Sequence, residues 1–186
     1  MPAIMERIRI EGIKLSGELA AINFRNLPGE KDFISRFCQI LAENQVNLLF
    51  LSTTSLRKNN QISCCVAATD LDIVKKLIAS EPVMASHTEF ILPVGSLSIF
   101  PHQFSLKILG LILNIFGRIN IPLYGLTSSL SALTCITDYA HLHTAVKAIR
   151  ENIDVPSDQI SLKPEIQVKQ SQDYKNKLLL RKTNSS

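Results

Sequence analysis

Apolar residues in this chain form short strand-like runs and longer helical stripes, and the same alternation of the two occurs twice. Glu18–Phe24 is a short apolar run flanked by loop residues and reads as a strand. Between Asp32 and Asn44, Phe33, Phe37, Ile40 and Leu41 make one helical stripe, with Arg36 and Glu43 outside it. Asn47–Thr53 and Ile62–Ala68 read as strands joined by the polar hairpin Arg57-Lys58-Asn59-Asn60. Asp70 is placed as the N-cap of a helix through Ala79 that Glu81-Pro82 helps to end, and Glu89–Leu92 is a fourth strand. The order is β-α-β-β-α-β.

A second copy starts with a strand at Gly95–Phe100. A helix follows from Ser105, its predicted N-cap, to Gly117, then strands at Ile121–Leu126 and Ala132–Thr137, then a helix from Ala140 to Asn152. Gln159–Lys163 or Ile166–Lys169 supplies a closing strand, and Arg7–Leu15 alternates like a strand that adds to either sheet. The copies align at Gln45-Val46-Asn47-Leu48 with Arg118-Ile119-Asn120-Ile121, and at Ser63-Cys64-Cys65-Val66 with Leu133-Thr134-Cys135-Ile136. A third match is Val74-Lys75-Lys76-Leu77 with Val146-Lys147-Ala148-Ile149. The predicted class is α+β, two ferredoxin-like βαββαβ repeats with helices on one face of antiparallel sheets. The expected division is 1–93, with the additional N-terminal strand, 94–163, and a tail over 164–186. The continuous apolar run Leu48–Leu51 marks a strand covered on both faces, so the second face and the edges are expected to be buried by the other repeat or a second chain.

The 186 residues are 46% apolar and 19% charged with no Trp, so the core must be built of aliphatic side chains. The net charge of +4 lies wholly in residues 161–186, where six bases face two acids. A neutral body has no field to attract nucleic acid, and the basic tail reads as a solvated end. No signal peptide is visible, and the apolar stretch Leu106–Phe116 is too short to span a bilayer. The four cysteines lack zinc spacing and read as small buried hydrophobes of a reducing cytoplasm.

In its order and duplication the chain resembles the ACT-domain family, most of all the tandem pair that regulates aspartate kinase. The residues that carry the resemblance are the loop Leu27-Pro28-Gly29, Val46-Asn47-Leu48 leading into Ser52-Thr53-Thr54-Ser55, and, in the second copy, Ile119-Asn120-Ile121 with Thr127-Ser128-Ser129. The resemblance covers residues 17–155, and the sixteen residues before it leave no room for a kinase domain. It implies a regulatory protein without catalysis or cofactor that binds a small amino acid where paired units meet, as a homodimer, and acts on a partner enzyme. The alternative is a ligand-free dimerising scaffold that docks on a partner enzyme.

The residues fit such binding. The loop Arg25–Lys31 runs from a strand into a helix whose first amides lack internal partners and favour a carboxylate. Gly29 lets backbone approach a ligand closely. Asn26, Leu27, Pro28, Gly29, Glu30, Asn47, Ser52 and Thr53 form the candidate site; the alternative makes Pro28-Gly29 a tight turn and the hydroxyls a strand end. A second site would use His102, Gln103, Asn120, Thr127 and Ser128, but its loop Pro101-His102-Gln103-Phe104 has no glycine and Pro122 interrupts the next strand, so a structural role is favoured.

Other signals are weaker. His141 and His143 have no cluster to complete a metal shell, and Asp70 and Asp72 read as helix-start residues. No Gly-rich phosphate loop occurs. The central strands lack the aromatic platform that RNA recognition on this topology needs, and Tyr124 alone does not make one.

Overall fold

A computed structural model describes residues 8–27, 33–56, 59–101, 105–156 and 160–161. Its strands are β1 (Gly12–Leu15), β2 (Leu19–Phe24), β3 (Phe50–Leu56), β4 (Asn59–Ala67), β5 (Thr88–Phe100), β6 (Gly125–Ser128), β7 (Leu133–Asp138) and β8 (Ile160–Ser161). Its helices are α1 (Phe33–Glu43), α2 (Leu71–Ala79), α3 (Pro82–Ser86), α4 (Leu106–Arg118) and α5 (Leu142–Asn152). All the strands belong to one sheet.

One long strand, β5, forms its spine, with β1 and β2 end to end beside it. The strands predicted at Glu89–Leu92 and Gly95–Phe100 are one strand, β5, thirteen residues long. Its first half pairs antiparallel with β2 and its second half with β1, the register shifting once between Leu19 and Ala21. The first unit is β3-β4-β2 closed by the first half of β5. The second is β6-β7 and the second half of β5, closed by β1. β5 therefore serves both units, and the consecutive strands β1 and β2 are divided between them.

This exchange changes how the ends of the chain are used. The segment after α5 does not take the place next to β5, because β1 already holds it. β8 instead pairs parallel on the outer side of β1, at Ile13 and Lys14, and Arg9 bridges to Asp154. Ile10, Ile13 and Leu15 are packed into the core of the second unit, with Leu97, Ile99, Leu133 and Cys135 from its strands and Ile108, Ile112, Ile115, Phe116, Leu142 and Ile149 from α4 and α5. The first unit has its own core, in which Ala20, Ile22, Phe24, Ile62, Cys64 and Val66 meet Phe33, Phe37 and Leu41 of α1 and Val74 and Ile78 of α2. There the Phe24 ring stands edge-on to Phe33 and Phe37 at 5.0 and 4.9 Å.

The predicted helices stand, with local differences. Ser105 caps α4 by accepting from the Ile108 amide at 3.3 Å. Asp70 makes no side-chain cap; it ends a 3-10 turn, Ala68–Asp70, that leads into α2. The Glu81-Pro82 stop is followed by α3, since Pro82 fits the first helical turn, where its missing N–H costs nothing. β3 starts at Phe50 rather than Asn47, and β6 at Gly125 rather than Ile121.

Both α1 and α4 end in the same way. Gln45 and Asn120 have φ of 61° and 52°, and the next amides, of Val46 and Ile121, donate back to Leu41 and Phe116 at 2.9 and 3.1 Å. This is the Schellman closure, with four apolar partners buried around the two turns. It makes Gln45 the counterpart of Asn120, two residues away from the sequence alignment that paired Asn47 with Asn120.

The faces turned away from the helices meet each other. Leu19, Ala21, Phe50 and Cys65 of the first unit and Val94 and Ile136 of the second form a third apolar cluster. The sheet curls until β3 and β6 approach: a Cβ on Gly125 would lie 3.0 Å from the Phe50 ring. The expectation that the second face is buried by the other repeat is met at this cluster. We refer to this inner side as the concave face.

Candidate functional site

The end of β2 positions the first candidate loop. Phe24 is fully buried, so the strand is anchored up to its last residue and the chain leaves it at a fixed point. The Arg25 amide donates to the His87 carbonyl at 3.0 Å, and a His87 ring nitrogen lies 3.0 Å from the Arg25 carbonyl. The Arg25 guanidinium reaches Glu89 at 3.0 Å, with both side chains more than half exposed. Asn26 then turns the chain in the left-handed region, at φ 54°, a conformation that Asn tolerates better than most residues.

The predicted ligand residues do not share one surface. Asn26 is exposed, whereas Leu27 is buried in the first core. Asn47 is half-buried on the approach to β3. Ser52 is opposite Ser63 and Thr53 opposite Ile62, so the two neighbours point to opposite faces, Ser52 to the concave face and Thr53 to the helix side. Pro28, Gly29 and Glu30 lie outside the described residues, as do His102 and Gln103. Asn120 is spent on the helix end described above. Thr127 lies beside Thr134 on the concave face, and Ser128, its neighbour, points the other way.

Sequence reasoning missed a polar row across the concave face of each unit. In the first, Ser52, Ser63, Asn23 and Glu89 stand side by side on β3, β4, β2 and β5. In the second, Thr127, Thr134, Ser98 and Lys14 occupy the same places on β6, β7, β5 and β1. The rows end in opposite charges. The available signal was Asn23, a lone amide within the apolar run Leu19–Phe24.

No metal or catalytic centre stands out. Among the described residues no three His, Cys, Asp or Glu side chains group to hold a metal, and no helix is long and apolar enough to cross a membrane. Burial pushes the Cys64 thiol far up and Cys135 up to about 12, which makes both poor nucleophiles. The Tyr124 hydroxyl donates to Asp138 at 2.8 Å, and that bond raises its pKa while fixing the lead into β6.

No family model and no curated protein matches the chain. Solved structures do. The regulatory subunit of aspartate kinase from Thermus flavus superposes with a TM-score of 0.69 at 14% identity, covering 77% of this chain and 98% of that one. The ligand-free regulatory subunit from Thermus thermophilus gives 0.68 at 14% identity, over 77% and 97%. The fold is that of an aspartate kinase regulatory subunit. E. coli aspartokinase III in complex with lysine and aspartate matches at 0.59 and 12% identity, over 80% of this chain and 34% of the enzyme. At these identities the likeness establishes architecture, two ferredoxin-like units arranged as in those regulatory subunits, and the residues of any site must be argued from this chain.

Proposed function

We propose that this protein is an amino-acid-responsive regulator that has no catalytic activity of its own and acts on a partner enzyme. The observation that carries the reading is the extent of the structural match: it spans nearly the whole of two free-standing regulatory subunits. The ligand carboxylate is taken at the loop Leu27–Glu30 before α1, whose first-turn amides have no partner within the helix and favour an anion. Asn26, Asn47 and Thr53 supply acceptors for the ammonium group. The second copy spends Asn120 on a helix end, so one loop per chain binds, and a homodimer brings two such loops into symmetry.

Thermal melts of the purified chain with each common amino acid test the proposal. Ligand at a hundred times its dissociation constant stabilises by about 2.7 kcal/mol, a rise of several degrees in Tm. Flat melts across the whole panel would overturn it. Flat melts with co-purification of a stable partner would favour the ligand-free scaffold, which docks through the free edge of β3.

A further inference from the structure

Some of the buried polar side chains are used by the fold itself, but that of Asn23 on the concave face is not. Ser16, Asn23, Ser96 and Thr137 are the buried polar residues among those described. The Ser16 hydroxyl donates to Gly17 and accepts from the Ser96 backbone amide, and Thr137 donates to Pro122, whereas the Ser96 hydroxyl has no hydrogen bond to a described residue. Asn23 is only 7% exposed, yet its side-chain amide has no hydrogen bond to any described residue. Buried polar groups are nearly always paired, so an unpaired amide at this depth asks for a partner.

The second unit provides an internal control. At the place of Asn23 it has Ser98, whose hydroxyl is satisfied by Thr134 at 2.8 Å. At the place of Arg25, two residues further along the same face, it has Phe100. In one row the residue at this place is paired with its neighbour, whereas in the other it is an open amide between Ser63 and Glu89 with an ion pair beside it.

We infer that the concave face of the first unit binds a small zwitterion, an α-amino acid, at Asn23, Arg25 and Glu89. The Asn23 amide offers one donor and one acceptor, which suits a molecule presenting both signs of charge. Arg25 and Glu89 are more than half exposed, so exchanging their mutual contact for a ligand costs little. Arg25 then donates to the carboxylate and Glu89 accepts from the ammonium. Ser63 stands next to Asn23, with Ser52 one strand further out in the same polar row. This face is opposite to that of Thr53, so the inference does not rest on the loop of the proposed function; the two share only a ligand class.

Isothermal titration of the full chain with the common amino acids, and with acetate and methylammonium as single-charge probes, tests it. At least one amino acid is expected to bind at least tenfold more tightly than either probe, and Asn23→Leu and Glu89→Gln are each expected to weaken it at least tenfold. Glu89 is at the exposed rim, so its variant decides the matter if Asn23→Leu fails to fold. Unchanged affinity in both variants overturns the inference, and loss confined to Gly29→Val overturns it while upholding the loop. Loss confined to the Asn23 and Glu89 variants upholds the concave face and removes the loop. Loss in all three upholds the face as part of one site with the loop, and no binding of any amino acid overturns both readings.

Discussion

Phe50 and Gly125 occupy the same place in the two repeats, each at the start of its unit's second strand, and they meet across the concave face. A Cβ on Gly125 would be 3.0 Å from the tip of the Phe50 ring and 3.4 Å from Ile136. One repeat supplies bulk and the other supplies room, so a pair of equivalent positions is filled once rather than twice. Gly125→Val is expected to destabilise the chain by about 1–3 kcal/mol through overpacking. Phe50→Leu in the same chain should recover part of the loss, and urea unfolding of the single and double variants measures the coupling.

The other glycines sort by the same criterion. At Gly95 an added Cβ would meet Leu142 at 2.6 Å and Tyr139 at 3.1 Å, so Gly95→Ala should lower Tm. Gly110 and Gly117 lie in α4 with nothing within 4 Å. Replacing either with Ala should stabilise by about 0.5–1 kcal/mol, from helix propensity and a less free unfolded chain. A stabilised Gly95→Ala variant would show that α5 yields more easily than its packing suggests.

The N-terminal strand should matter most to the half of the sequence remote from it. Ile13 is fully buried in the second core, and Ile13→Ala is expected to cost about 2–5 kcal/mol. Hydrogen exchange should then rise in α4, α5 and β7. Loss of protection confined to α1 and α2 would contradict the strand exchange.

Thiol chemistry gives a pH test. Cys64 and Cys135 are held as neutral thiols by burial, their pKa raised above the ordinary 9.0. The folded chain therefore keeps protons that the unfolded chain releases, so this contribution to stability is full below pH 9 and falls as pH rises beyond it. Denaturant midpoints should drop between pH 9 and pH 11. At pH 8 an alkylating reagent should label half-buried Cys38 first, and Cys64, Cys65 and Cys135 only after unfolding.

Removing the cap of α4 makes a local test. Ser105→Ala loses the one side-chain acceptor at that end and should cost about 0.5–2 kcal/mol, read from urea midpoints.

The duplicated order, the helical stripes and the Ser105 cap were legible because each depends on local spacing. Strand partnership was not. Nothing in Arg7–Leu15 says that it will close the second unit, since alternation assigns a strand its faces and not its neighbours. The repeat alignment slipped for a different reason. Gln45 and Asn120 are 75 residues apart, but Leu71 and Leu142 are 71 apart, because β6 and β7 are shorter strands than β3 and β4. A single offset fits neither half, and it set Asn120 against Asn47 rather than against Gln45. Of the two polar rows, Ser52 and Thr127 were singled out from the sequence, while Asn23 was passed over because it lies among apolar neighbours.

Because β5 and the β1–β2 segment are common property of both halves, no cut across the sequence separates them cleanly. Severing the chain at Leu92–Pro93 would leave the first unit its four strands but strip the second unit of β1, so the C-terminal piece should be insoluble alone and soluble only with the N-terminal piece. The seam of this molecule runs lengthwise down two strands, and whatever stiffens one half is felt at once by the other.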